Sequence, residues 1–453
     1  MLQPIDKYLH FTFSTWTPWD LPRGVAGGLA GQLSMINIPT FFDIKIDALN
    51  DEGLGCATYE NKRINISYVL PDEFVSVQKV TQKNYPDRFE LVEVLEPSKH
   101  RVNPPCAYFG QCGGCQLQHM SESYYNDFKR NNVNQHLKDQ SIEFKCDRLM
   151  RVSDRSRRRV TFKVSRKGKK IELGYFKRQS HDVVNIDHCL LLTTRLQDLI
   201  QPLKLFLLGF LIDEKPKNLY LTEADNGIDL DLELPIKKLN LVQLEKINKF
   251  AYTYDIGRFA INGETIIEIK KPIIQIDDVQ IPIDSKGFLQ ATMDSNTILK
   301  VLVLDALSDQ KFQKIADLFA GRGTFSIPLS NIAKVESYES DVIAVQDLKK
   351  SLQQSSKPIK VIERDLYKMP LNDKELEVFD AVVLNPPRAG AYAQSKQLAM
   401  SKVQTIIYVS CNPKTFATDA RLLLSNGYKI NNITLFDQFL YSSHIELVAV
   451  FKK

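Results

Sequence analysis

The sequence predicts an α/β protein: a doubly wound, mostly parallel sheet at the C-terminus, preceded by a small OB-like β-barrel and an α+β segment. Three observations carry this reading. The 453 residues exceed the ~250–300 at which one hydrophobic core stops growing, so several domains are expected. Strand-like and helix-like runs alternate after Pro282, and short β-rich runs crowd the stretch from Phe42 to Leu95. Hydrophobic residues at 43% and charged residues at 25% exclude wholesale disorder, collagen-like repeats and a membrane bundle. The longest apolar stretches, such as Leu203–Ile212, fall short of the ~20 residues that span a bilayer, so no membrane association is expected. Seven cysteines are too few for a disulfide scaffold and no charged, then apolar, leader opens the chain, which makes a reducing cytoplasm the expected location.

Residues 1–41, with glycines from Gly24 to Gly31 and no caps or steady periodicity, read as a poorly ordered extension. In 42–97 the runs Phe42–Ala48, Gly55–Glu60, Ile64–Val69, Phe74–Lys83 and Phe89–Leu95 form the barrel, and Pro97 and Pro104-Pro105 act as a linker. Residues 98–280 hold a cysteine-bearing loop, a helix-like Glu122–Lys138, basic strands Arg159–Ser165 and Lys170–Lys177, and a helix-like Thr193–Leu208. In 281–453 the expected strands are Lys314–Phe319, Lys334–Tyr338, Ile359–Ile362, Phe379–Leu384 and Thr405–Val409. Between them lie helix-like Phe325–Ile332, Val342–Gln353, Gln394–Lys402 and Pro413–Leu424. Tyr428–Leu435 and Ile445–Phe451 suggest an antiparallel hairpin at one edge of that sheet.

Ligands of such a sheet belong at the carboxyl ends of its strands, and the informative motifs fall there. Asp317-Leu-Phe-Ala-Gly-Arg-Gly-Thr-Phe325 follows an apolar strand and opens a helix; a second strand ends near Glu339, where a carboxylate can hold two ribose hydroxyls. The pattern resembles motif I of the class I S-adenosylmethionine methyltransferases, and Asp365, after the third strand, would then face the adenine. Asn385-Pro-Pro-Arg-Ala-Gly390 ends the fourth strand, where two prolines hold the loop extended. Cys411, in Val409-Ser-Cys-Asn-Pro413, ends the fifth. A helix beginning at Pro413 is expected to favour its thiolate and make it a nucleophile.

Cys106, Cys112 and Cys115, arranged Cys-x5-Cys-Gly-Gly-Cys, with Cys189 seventy-four residues on, supply four thiolates. Two close pairs would suggest structural zinc; a three-plus-one spacing around a Gly-Gly loop suits a [4Fe-4S] cluster better. Net charge is +5, yet the segment Lys145–Arg178 holds 14 Lys/Arg against 3 Asp/Glu. Arg157, Arg158 and Arg159 stand at its centre, and a phosphate backbone is the natural counterpart.

Together these residues resemble the RNA uracil-C5 methyltransferase family, over roughly Phe42 to Phe451. The most specific parts are the cysteine loop, the Arg157-Arg158-Arg159 stretch, the Pro-Pro-Arg-Ala-Gly loop, Ser-Cys-Asn-Pro, and the terminal His444-Ile-Glu446. The resemblance implies a TRAM β-barrel, a central domain with an iron–sulfur cluster, and a Rossmann-like S-adenosylmethionine domain. It makes Cys411 the nucleophile and Glu446 the base, with cofactor contacts from Gln290, Phe319, Thr324, Glu339, Asp365 and Asn385. His444 and Glu446 would share one face of a strand. RNA is the implied partner and a monomer the expected state; the cysteine loop favours 23S ribosomal RNA over transfer RNA by analogy with the branch that carries it.

Two positions depart from the family pattern. Asn385 stands where Asp is usual, keeping an acceptor oxygen but losing the charge, and Thr324 stands where Asn is common. Asn-Pro-Pro is also similar to loops of methyltransferases acting on base or glutamine amines, which need no cysteine nucleophile. A non-catalytic rRNA-binding factor that keeps the basic segment is the alternative of another class.

Overall fold

The computed structural model describes residues 40–81, 87–211, 215–235, 238–284 and 286–453. The expected extension lies outside the described residues except for Thr40 and Phe41, which open the first strand, Thr40–Lys45. That strand pairs with Phe74–Val80 in a six-stranded sheet ordered Thr40–Lys45, Phe74–Val80, Arg88–Glu96, Lys62–Ile66, Gly55–Tyr59 and Ala48–Leu49. Its alternating residues Ile64, Ile66, Val75 and Val77 point inward to a shared apolar core with Ile46 and Val69.

A seven-stranded sheet follows, ordered Val183–Asn185, Lys170–Phe176, Arg159–Lys167, Lys217–Ala224, Gly227–Leu232, Ile256–Ile261 and Glu264–Glu268. The helices Thr194–Asp198 and Ile200–Leu207 cover it, burying Leu196, Leu203 and Leu207 with Phe162, Leu221 and Phe259. A two-stranded hairpin, Ile273–Ile276 with Val279–Pro282, leads into the last part of the chain.

The C-terminal sheet has eight strands in the order Ile359–Glu363, Lys334–Glu339, Lys314–Leu318, Ala381–Leu384, Thr405–Ser410, Glu446–Lys452, Lys429–Asp437 and Leu149–Arg151. The first five are parallel. Every residue of Ala381–Leu384 and Thr405–Ser410 is buried, as expected of parallel strands covered by helices on both faces. This is the Rossmann-like class I methyltransferase arrangement, with one antiparallel strand, Glu446–Lys452, inserted between Thr405–Ser410 and Lys429–Asp437. Chain order reverses between Lys314–Leu318 and Ala381–Leu384, the switch point at which such sheets open a ligand crevice.

Two expectations change here. The terminal hairpin is not the sheet's edge, because Leu149–Arg151 pairs parallel to Lys429–Asp437 outside it. The helix Glu122–Asp139 also leaves the central part: Val133 and Leu137, with Ile142 and Cys146, are buried in the same core as Leu384, Tyr408 and Phe416. Lys129 of this helix is fully buried and lies 3.0 Å from the equally buried Asp437; the Tyr125 hydroxyl donates to Asp437 at 2.5 Å, and Lys129 also donates to the His444 carbonyl.

Candidate active site

The strand Lys314–Leu318 delivers the Asp317–Phe325 loop to the switch point. Asp317 is fully buried; Ser326 donates to it, Ser337 donates to Ser326 at 2.7 Å, and burial pushes its carboxyl up to about 7 against that hydrogen bond. The loop turns through left-handed backbone at Phe319, Gly321 and Gly323, and a Cβ on Gly323 would sit 2.9 Å from Leu348, so glycine is required there. The Gly321 N–H donates to Glu339 at 2.8 Å, and the N–H groups of Ser340 and Asp341 donate to its other oxygen at 2.7 and 2.8 Å. Three backbone donors thus fix that carboxylate at the end of the neighbouring strand.

Phe319 packs at 5.4 Å from Tyr367, whose hydroxyl donates to the Gly390 carbonyl at 3.0 Å. Tyr367 went unread in the sequence, and it joins the motif I loop to the Pro-Pro-Arg-Ala-Gly loop. Asp365 closes its own turn: it accepts from the N–H of Tyr367 and Lys368, and the Lys368 ammonium 3.1 Å away holds its carboxyl below the usual range. Thr324 borders a small cleft with Gln275, Asp277, Asn296 and Lys300. The Asn385 N–H donates to the Leu318 carbonyl at 3.2 Å, which sets this loop beside motif I across the switch point.

Cys411 and Glu446 meet because of strand register. Ser410 pairs with Leu447 between antiparallel strands, so the next pair beyond the ladder is Cys411 with Glu446. Cys411 feels the carboxylate: burial pushes its thiol up to about 11, Glu446 adds to the rise, and Arg388 opposes it. This corrects the expected thiolate. Asn412 caps the helix Pro413–Leu424, and desolvation of the sulfur is the largest influence on the thiol. Burial likewise pushes the Glu446 carboxyl up to about 7, opposed by the hydrogen bond from Gln438.

His444 is corrected as well. It precedes the strand Glu446–Lys452 and is exposed, with Arg388 Nη2 3.2 Å from its Nδ1, whereas Glu446 is buried. Gln290 stands 3.2 Å from Gln438, a residue that carried no sequence signal. Gly390 adopts φ +77°, and a Cβ there would sit 2.9 Å from both Asp419 and Thr415, which explains the glycine closing the Pro-Pro-Arg loop.

The four cysteines Cys106, Cys112, Cys115 and Cys189 line one cavity, together with Tyr108, Arg157 and Tyr175. Gly113 lets the loop lie against the sheet: its N–H donates to the Phe176 carbonyl at 2.9 Å, and a Cβ would sit 2.7 Å from that oxygen. All four thiols are free. Burial pushes Cys112 up to about 11, Cys115 up to about 12 and Cys189 also upward, and the four sulfurs around one cavity are soft donors of the kind a metal cluster takes. Among the described residues no three His, Cys, Asp or Glu side chains converge as ligands of a single ion.

The arginine triplet does not form one exposed face. Arg157 turns to the cysteine cavity. Arg158 is buried, with its guanidinium on the Glu223 carbonyl at 2.8 Å and on Asp225 at 2.7 Å, which corrects its reading as an RNA contact. Arg159 is half-buried and donates to the Lys286 carbonyl at 3.2 Å. Among the described residues of the basic segment, the exposed cations are Lys145, Arg148, Arg155, Lys177 and, at the tip of the basic hairpin, Lys167, Lys169 and Lys170. No helix among the described residues is long and apolar enough to cross a membrane.

Comparison with known proteins gives consistent findings. The family model described as tRNA (Uracil-5-)-methyltransferase matches residues 273–453. An uncharacterized RNA methyltransferase of Brucella suis is 36% identical over 90% of this chain and 97% of its own length. The 23S rRNA (uracil(1939)-C(5))-methyltransferase RlmD of Vibrio vulnificus is 29% identical over 90% of this chain and 96% of its own. Among solved structures, the Pyrococcus abyssi tRNA (uracil-54, C5)-methyltransferase in complex with S-adenosyl-L-homocysteine shares the fold, with a TM-score of 0.71 and 24% identity over 90% of this chain and 99% of that one.

Proposed function

The chain belongs to the RNA uracil-C5 methyltransferase family, and from that membership and the site's geometry we propose that it methylates a uridine of 23S ribosomal RNA through a transient bond from Cys411. The carrying observation is the strand register, ending at Ser410 opposite Leu447, that brings Cys411 within the influence of Glu446 at the carboxyl edge of the sheet. S-adenosylmethionine, when bound, supplies an electrophilic methyl group. Gln290, Phe319, Thr324, Glu339, Asp365 and Asn385 are the residues we assign to holding it, with the Glu339 carboxylate fixed by three N–H donors for ribose hydroxyls.

Uracil C5 is too weak a nucleophile to take a methyl group unaided. The Cys411 sulfur adds to C6, and the electron pair of the C5=C6 bond moves toward O4, leaving C5 nucleophilic. After methyl transfer, Glu446 accepts the C5 proton, the C5–H pair re-forms the C5=C6 bond, and the sulfur leaves as thiolate. A carboxyl raised to about 7 by burial is matched to that proton transfer near neutral pH. With the Cys411 thiol raised to about 11, the sulfur gives its proton to solvent as the bond to C6 forms, and Arg388 is the nearby charge that favours the thiolate.

The cysteine cavity is assigned to a [4Fe-4S] cluster. Cys106, Cys112, Cys115 and Cys189, which line that one cavity, are the residues that would hold it, through their thiolates. Exposed Lys167, Lys169 and Lys170 supply phosphate contacts, and the target uridine is flipped out of its stack to reach the buried pair. The preference for 23S rRNA rests on the Vibrio relative and the cysteine loop. Mapping 5-methyluridine in ribosomal and transfer RNA from cells with and without the gene tests it. The site must vanish from 23S rRNA; loss from transfer RNA alone would reassign the substrate, and no loss would refute the activity.

A further inference from the structure

Beside Glu446 lies a buried polar chain that neither the motifs nor the mechanism uses. The Thr292 hydroxyl is 2.5 Å from Ser295 Oγ, and Ser295 Oγ donates to Gln438 Oε1 at 2.7 Å. Because Ser295 spends its proton on that oxygen, Thr292 must be the donor of the first bond, and the chain runs in one direction. It fixes the amide of Gln438 with Nε2 on the opposite side. From there Nε2 donates to Glu446 Oε2 at 2.7 Å and to Gln290 Oε1 at 3.2 Å. Thr292, Ser295, Gln438, Gln290 and Glu446 are all buried, so none of these bonds competes with bulk water.

We infer that Gln438 is a positioning residue for the proton-removal step: its amide, locked by Ser295, holds one oxygen of Glu446 and leaves the other as the base. This rests on the reading of Glu446 as base. An N–H donor favours the ionised carboxylate, the form that can accept a proton, and works against the burial that raises its titration. The titratable group on which Glu446 acts is Cys411, just past the end of the strand Thr405–Ser410, with Arg388 acting on Cys411 from the Pro-Pro-Arg loop. Asp437, next to Gln438, is held by Lys129 and Tyr125 from the helix Glu122–Asp139. The amide is therefore the group that offsets desolvation of Glu446 directly. The same Nε2 touches Gln290, so the orientation of the base is tied to a residue assigned to the cofactor.

The test is Gln438→Met, of similar volume but without donors, studied in the full-length enzyme with cognate RNA. Losing a charge-assisted hydrogen bond should move the acid limb of the elimination step upward by about one pH unit, so that below the limb release slows about tenfold. Methyl transfer precedes that step, so a methylated protein–RNA adduct should accumulate on denaturing gels at acid pH and clear as pH rises. Ser295→Ala keeps the glutamine but unlocks its amide, and should shift the limb the same way by less; it decides the matter if the first variant does not fold. A purely structural role would slow both steps together and leave the limb in place, which would overturn the inference. A wild-type enzyme that forms no adduct with 5-fluorouridine RNA would instead refute the nucleophile, a separate failure.

Discussion

Lys129→Met is the perturbation that most sharply probes how the helix Glu122–Asp139 supports the site. Lys129 and Asp437 are both fully buried, 3.0 Å apart, and the lysine also donates to the His444 carbonyl. Methionine keeps most of the stem volume but leaves Asp437 without its cation. Stranding a buried charge costs ~3–5 kcal/mol, and the surviving 2.5 Å hydrogen bond from Tyr125 argues for the lower end, about 3 kcal/mol. The loss should be local: Asp437 adjoins Gln438, and His444 stands two residues before Glu446. Urea unfolding, read by hydrogen exchange in the strand Glu446–Lys452, measures the cost. Asp437→Leu in the Lys129→Met background should restore part of it, because no charge is then left buried. A cost under about 1 kcal/mol, the range of an exposed pair, with unchanged exchange between residues 438 and 445, would refute the reasoning.

Four further outcomes follow from the same structure. Arg158→Ala should destabilise the fold by ~1.5–3 kcal/mol, since Asp225 and the Glu223 carbonyl lose a buried cation; Lys169→Ala with Lys170→Ala should leave stability alone and reduce the salt dependence of RNA binding. Denaturant unfolding and filter binding at several salt concentrations separate the two effects. Asp317 has a folded-state value of about 7, above its unfolded value, so the folded chain holds the proton between about pH 4 and 7 while the unfolded chain has lost it; stability from this group is present at acid pH and falls as pH rises through that window. Asp317→Asn should therefore flatten the decline, gaining on the wild type by ~2–3 kcal/mol from pH 5 to pH 8, measured by unfolding at each pH. Cys115→Ser should abolish the iron and sulfide content of protein purified without oxygen and raise hydrogen exchange near Tyr441, because the Gln116 and Leu117 N–H groups that follow Cys115 donate to the Tyr441 carbonyl at 2.7 and 3.0 Å.

The parallel strands were legible because burial on both faces writes itself as short apolar runs, and Ile315, Val383 and Ile407 fall within the expected segments. The helix Pro413–Leu424 begins and ends as its proline and apolar spacing imply. The strand Leu149–Arg151 was not legible: three residues in a basic stretch carry no alternation, and its partner lies far along the chain. The helix Glu122–Asp139 announced itself, but nothing in its pattern says which core Val133 and Leu137 will join. The helix Met293–Asp305 was not read from the sequence; Thr292 at its start is an ordinary cap residue type, but its hydroxyl turns to Ser295 instead of the helix backbone.

The site divides the same way. Motifs marked Cys411, Glu446 and Glu339 because their chemistry demands particular residue types, whereas Gln438 and Tyr367 act through neighbours that only folding supplies. Arg158 misled because Asp225, the carboxylate that neutralises it, is distant in sequence and near in space. Cys411 misled because a favourable helix end is visible in a sequence and the desolvation of a sulfur is not.

The central claim is tested most directly by mass spectrometry of the enzyme incubated with S-adenosylmethionine and cognate RNA carrying 5-fluorouridine at the target, whose fluorine cannot be removed as a proton. The account predicts a stable adduct that carries the transferred methyl group and maps to Cys411, and none with Cys411→Ala. Methylation that proceeds in that variant, or a wild-type enzyme bound through another residue, would contradict it.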